Sequence, residues 1–114
     1  MNPHPNLHQM KCQPCRKGVK AYSKKKAVSL LTQLEGWRLS RRGDSISKEY
    51  RMKNFMDALR FINLIAKVAE KDNHHPDLHL TGYRKLKIVL STHAIGGLSE
   101  NDFILAAKFD KISS

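Results

Sequence analysis

The chain lacks any apolar run near the roughly 20 residues a helix needs to cross a bilayer. Cysteine is scarce, two in 114 residues, which excludes a disulfide-dense scaffold. Aromatics make up 7% of the chain, too few to interleave with basic residues as in single-strand nucleic-acid binders. No internal repeat is present, and no charged-then-apolar leader opens the chain. A soluble cytoplasmic protein without a membrane segment is therefore expected. Acid is missing from one end: residues 1–34 contain no Asp or Glu but seven Lys and Arg. The other 80 residues hold 14 basic and 10 acidic side chains, an excess of only +4 out of a total of +11. The positive charge thus belongs largely to the N-terminus. It reads either as a patch for phosphate or nucleic acid or as a solvated arm. With no groove-reading helix motif, nucleic acid is disfavoured as a partner.

What is present is ordinary globular composition, 40% hydrophobic and 27% charged. A chain of this length forms one domain with one modest core. Residues 1–22 hold three of the four prolines and little periodicity, and read as an irregular basic N-terminal extension. The folded domain occupies 23–114. The extension contains Cys12-x-x-Cys15. No second pair accompanies it, and His4 and His8 match no usual zinc spacing. Two reduced thiols and no metal are expected.

Ser23 caps a first helix over 24–34, with Ala27, Leu30, Leu31 and Leu34 at helical spacing. Trp37 and Leu39 form a short strand. Arg42-Gly43-Asp44 signals a turn, and Ile46, Lys48, Tyr50 and Met52 share one face of a second strand. Asn54 caps a long helix over 55–71. One of its stripes is Phe55, Ala58, Ile62, Ile65 and Ala69, and a second is Phe61, Leu64 and Val68. An apolar sector that wide suits a deep core or a subunit interface. After Pro76 come strands over 77–80 and 84–92, joined by a turn at Thr81-Gly82, with Tyr83 packed into the turn. Ser99 caps a last helix over 100–111. The order α-β-β-α-β-β-α with two hairpins predicts an α+β two-layer sandwich, a four-stranded antiparallel sheet with helices on one face.

The polar residues collect at element ends. Glu70, Asn73, His74 and His75 lie at the exit of the long helix, His93 at the end of the last strand, and Asp102 in the first turn of the last helix. Those ends can converge on one rim. Imidazoles titrate near neutrality, so one ring can donate a proton while another accepts, with carboxylates to orient them. Each residue also has a structural reading. Asp102 stands three residues after Ser99, where a capping-box partner belongs. His74 and His75 could simply terminate a helix, and Glu70 could be a solvated helix residue. Zinc on three imidazoles is disfavoured, because adjacent His74 and His75 are poorly placed to aim at one ion.

The linked elements Glu70-x-x-Asn73-His74-His75-Pro76, Tyr83, Ser91-Thr92-His93 and Gly97-Leu98-Ser99-Glu100-x-Asp102 resemble the pterin-4a-carbinolamine dehydratase family. The resemblance starts near Lys24, includes Gly36-Trp37 and runs to about Asp110. It implies a hydro-lyase that converts 4a-hydroxytetrahydropterin to quinonoid dihydropterin and water, recycling the cofactor of aromatic amino acid hydroxylases. It also implies the sandwich argued above, a homodimer or homotetramer, and catalysis by His74, His75 and His93. Glu70, Asn73 and Asp102 would be the supporting and substrate-binding residues, with no cofactor beyond the pterin substrate itself. Two positions depart from the family pattern. Asn73 stands where an Asp is frequent, and Leu78-His79 replaces an aromatic after the His-His-Pro. The alternative is a non-catalytic dimeric module on the same fold that binds a protein partner. Such a module has no need of His74, His75 and His93 together.

Overall fold

The computed structural model describes residues 7–10, 12 and 20–113; Cys15 and His4 lie outside them. The elements in chain order are α1 (Lys24–Leu31), β1 (Arg38–Leu39), β2 (Ile46–Arg51), α2 (Phe55–Asp72), β3 (Asp77–Thr81), β4 (Lys85–Leu90) and α3 (Glu100–Ser113). The four strands form one antiparallel sheet in the order β1-β2-β4-β3. Three helices accompany it, so the predicted α+β architecture is the one found.

Period-two alternation in the strands sets the two faces. Ile46 and Tyr50 of β2 and Leu86, Ile88 and Leu90 of β4 are buried with the helices. Glu49, Arg51, Lys85 and Lys87 are exposed on the other face. Gly82 and Tyr83 both take positive φ (53° and 56°) in the three-residue loop that joins β3 to β4, where Thr81 pairs with Lys85. Tyr83 is therefore 61% exposed and does not pack into the turn as the sequence suggested.

The first helix stops earlier than its apolar spacing predicts. Ser23 caps it as expected, its Oγ accepting from Lys26 N at 3.2 Å. After Leu31 the N–H groups of Thr32, Gln33 and Leu34 reach back three residues rather than four. The stripe thus runs on to Leu34 in tighter geometry. In α2, Ala58, Phe61, Ile65 and Ala69 are buried, whereas Phe55, Met56 and Leu64 remain exposed. The two stripes predicted for this helix are thus only partly used within the chain.

The last helix is the most deeply set element. Asp102, Phe103, Ile104, Leu105 and Ala106 are consecutive and fully buried, as is Phe109. A helix apolar on all sides must be covered on all sides. α2 packs on one side, and the sheet contributes Ile46, Leu86, Ile88 and Leu90 to the same core cluster. Further cover comes from Tyr22, stacked on Phe103, and from described residues preceding 20. A 3-10 turn at Leu7–Gln9 packs on α3, with Leu7 and Cys12 buried in the same core. Polar ties hold the helix in place. Asp110 accepts from Trp37 Nε1 at 3.0 Å, from Lys48 Nζ at 2.8 Å and from the Tyr50 hydroxyl. Lys108 pairs with buried Asp72.

Two of these buried groups make stability depend on alkaline pH. Burial, with the Asp72 carboxylate close by, pushes the Cys12 thiol from an ordinary 9.0 up to about 12. Burial and the bond to Asp110 push the Tyr50 hydroxyl up as well. Above pH 9 the unfolded chain releases protons that the folded chain still holds, so stability falls as pH rises through this range. Below it the stabilisation is complete. Urea midpoints measured at pH 8 and pH 10.5 should show this loss, and Cys12→Ala should reduce the slope (pH values chosen to straddle roughly the thiol's ordinary range). An unchanged slope in that variant removes the thiol from the account.

Candidate active site

The site begins where α2 ends. Asn73 adopts the left-handed conformation (φ 51°, ψ 41°), which asparagine tolerates better than most residues. Its N–H bonds Glu70 O at 3.2 Å, and the His74 N–H bonds Ala69 O at 3.1 Å. This pair of bonds is a Schellman motif, which closes the helix and reverses the chain. Asn73 therefore has a backbone role that explains its presence without any charge. The reversal delivers His74 inward, and Pro76 then starts the extended course into β3.

His74 Nε2 lies 2.7 Å from Asp102 Oδ1. The His74 side chain is 12% exposed and that of Asp102 is 0% exposed. Asp102 Oδ2 accepts from Thr92 Oγ1 at 2.8 Å and from Ser99 N at 3.0 Å. The Thr92 and Ser99 hydroxyls are 2.7 Å apart. Both readings of Asp102 are thus satisfied at once: it bonds the Ser99 N–H as a capping-box partner and it holds an imidazole. The carboxylate keeps the proton of a neutral His74 on Nε2, which leaves Nδ1 as the basic nitrogen.

His75 and Glu70 form a second pair, Nε2 to Oε2 at 2.8 Å. Both are exposed (59% and 79%), so solvent weakens this contact. His93 opens a 3-10 turn, His93–Ile95, closed by Gly96 at φ 64° and by mutual backbone bonds between Thr92 and Gly97. The sheet register places these segments on one rim, because Asp77 at the start of β3 pairs with Val89 near the end of β4. Hydrogen bonds join His74, Thr92, Ser99 and Asp102, and separately His75 and Glu70. His93 adjoins the first group through its neighbour Thr92. Among the described residues no three His, Cys, Asp or Glu side chains gather as a metal site.

A cleft of about 370 Å³ opens at His93, lined also by Asp77, Ser91 and Gly96 and by Asp44 and Ser45 from the β1–β2 turn. That volume falls in the range of small-molecule sites. Sequence reasoning placed Asp44 in a turn but not at the site. No spacing in the sequence marked it: Asp44 reaches the cleft because β2 pairs with β4, Ile46 opposite Leu90, so this turn leaves the sheet at the same rim as His93. The rim is braced from the N-terminal side. Tyr22 N bonds Leu98 O at 2.8 Å, and a Cβ on Gly97 would stand 2.7 Å from Ala21 Cβ. Residue 97 has no room for a side chain there.

Comparison with known proteins agrees with these features. The family model described as pterin 4 alpha carbinolamine dehydratase matches residues 20–112. A mitochondrial pterin-4-alpha-carbinolamine dehydratase 2 of Arabidopsis thaliana is 44% identical over 110 residues, covering 94% of this chain; the chain spans 59% of that protein's length. A Nitrosomonas eutropha protein provisionally assigned the same activity is 44% identical, with 94% of this chain and 93% of that protein covered. A Brucella melitensis crystal structure described as a transcriptional coactivator/pterin dehydratase superposes with TM-score 0.78 at 27% identity, covering 83% of this chain and all of that one. A pterin dehydratase-like RuBisCO assembly factor of the alpha-carboxysome shares the fold at TM-score 0.60 and 18% identity, over 70% of this chain and 92% of that one. Its motifs, its sheet order and the extent of these matches agree: the chain belongs to the pterin 4 alpha carbinolamine dehydratase family.

Proposed function

We propose that this protein dehydrates a 4a-hydroxytetrahydropterin to the quinonoid dihydropterin by histidine acid–base catalysis. The observation that carries this reading is the His74–Asp102 couple, tied through Thr92 to the cleft at His93. In the reaction the C4a–O bond breaks as the hydroxyl takes up a proton and leaves as water. The N5 electron pair forms the new N5=C4a bond, and N5 gives up its proton. One protonated imidazole and one neutral imidazole serve these two transfers. His74 and His93 take the proton-transfer roles, while His75, steadied by Glu70, positions the pterin. Asn73 holds the chain reversal on which His74 depends. The push comes from N5, so the step calls on no metal or organic cofactor.

The setting we propose is cytoplasmic recycling of a tetrahydropterin used by a hydroxylase. Among the described residues no helix is long and apolar enough to cross a membrane. Exposed Phe55, Met56 and Leu64 on α2 support self-association as a dimer or tetramer. The decisive experiment follows the absorbance decay of chemically generated 4a-hydroxytetrahydropterin with and without the purified protein. Catalytic protein accelerates the decay in proportion to its concentration. Decay at the spontaneous rate overturns the proposal and leaves the alternative of a non-catalytic module that binds a protein partner.

A further inference from the structure

Asp44 shares the cleft with His93, and its carboxylate is fixed in place. Ser40 Oγ donates to Asp44 Oδ1 at 2.8 Å and accepts from the N–H groups of Asp44 and Ser45, each at 3.1 Å. The turn itself is rigid. Ser40 N bonds Ser45 O at 2.8 Å, Gly43 N bonds Ser40 O at 2.9 Å, and Gly43 takes φ +76°. The Lys24 stem lies against Gly43, where an added Cβ would meet its Cγ at 2.6 Å. The one hydrogen bond to Oδ1 leaves Oδ2 and further lone pairs open to accept. Asp44 is half-buried, so a donor reaching it meets a partly desolvated, pre-oriented acceptor. Asp77, the other carboxylate of the cleft, is exposed on edge strand β3, and no hydrogen bond among the described residues holds it.

A pterin presents two kinds of edge. C4a and N5, where the bond changes occur, lie at the ring fusion. Across the pyrimidine ring, N3–H and the 2-amino group point two donors side by side in one plane. A carboxylate is the side chain that accepts both, for the same reason that it accepts two parallel bonds from a guanidinium. We infer that Asp44 is the specificity-determining residue of this cleft, accepting hydrogen bonds from N3–H and the 2-amino group while His93 faces the reacting end. Ser40 is its positioning residue. This inference rests on the dehydratase reading and adds to it the choice of a 2-amino-4-oxopteridine over its 2-oxo analogue.

The test compares pterin with lumazine, the 2,4-dioxopteridine, as ligands of the full chain by fluorescence titration. Lumazine presents a carbonyl where pterin has its amino group, and a carboxylate repels it. Wild type should favour pterin by about tenfold or more, since an unpaired buried polar group is discriminated against strongly. Asp44→Asn can turn its amide to donate, so the preference should shrink to within about threefold, as expected when that bond is lost. Asp77→Asn should keep the wild-type ratio. If Asp44→Asn fails to fold, Ser40→Ala tests the same point, because a loosened carboxylate weakens pterin binding more than lumazine binding. A wild-type ratio in Asp44→Asn or, should that variant not fold, in Ser40→Ala overturns the inference, as does a ratio equalised by Asp77→Asn instead. Failure of the dehydratase reading looks different: wild type then binds neither pteridine and leaves the decay rate unchanged.

Discussion

His74→Ala lowers the rate of pterin dehydration by about 10²- to 10⁴-fold, the usual worth of a positioned general acid or base. The loss falls on kcat, because His74 is almost enclosed and acts through one nitrogen rather than through a broad binding surface. His93→Ala produces a loss of the same order, since each ring serves one of the two proton transfers. Combining the two substitutions costs less than the product of the separate losses, because two halves of one transfer chain are not independent. Rate measurements on the two single variants and the double variant, with circular dichroism to confirm folding, check all three statements. Turnover like wild type in either single variant removes that ring from the mechanism. Added imidazole should restore part of the rate to His74→Gly, since the vacated space adjoins an oriented carboxylate. A variant that had merely lost packing would not respond to it.

Asp102 carries the second large effect, and here folding and chemistry share one side chain. Its carboxylate is fully buried and takes hydrogen bonds from Thr92, Ser99 and His74. Asp102→Ala leaves these donors unmatched, at about 1–3 kcal/mol for each group that finds no other partner. A total near 4 kcal/mol lowers Tm by roughly 15–30 °C in a domain of this size. Asp102→Asn separates the two roles. The amide fills the same space and keeps one accepting oxygen, so it costs less stability, about 1–3 kcal/mol. But its NH₂ group donates and cannot accept a hydrogen bond, so the tautomer of His74 is no longer enforced. Activity then falls by up to about 10⁴-fold, as when the carboxylate behind a catalytic imidazole is replaced elsewhere. Thermal melts and rates measured on the same preparations distinguish the cases. If Asp102→Asn melts with Asp102→Ala, the residue is structural; if it turns over like wild type, the His74 couple has no catalytic role.

Much of this arrangement was legible in the sequence, and the physical reasons differ by element. α2 announced itself through Asn54, whose side chain accepts from Asp57 N at 2.8 Å, and through a strong periodic stripe. The β2 and β4 alternation fixed both faces of the sheet, because a one-residue slip would have turned Ile46 and Ile88 outward. Weaker signals came from turns. Leu34 continues the spacing of α1 although the backbone has tightened, since apolar period alone does not distinguish the two helical geometries. The contribution of Asp44 to the cleft depends on strand register across three strands, which residue spacing alone does not convey. The cover that Leu7 and Cys12 give α3 was invisible for a similar reason. Two apolar residues among prolines and lysines carry no period, and only α3, apolar on all sides, hinted that something must lie over it.

That cover has a consequence for where the folding unit starts. The match to the family model begins at residue 20, yet Leu7 and Cys12 sit in the core. A fragment trimmed to the family boundary would carry a bare greasy seam along its most enclosed helix. It would also lose the contact of the Cys12 thiol with Asn101 O (3.6 Å), beside Asp102, so a cut distant in sequence from His74, His75 and His93 would be felt at the carboxylate that holds His74.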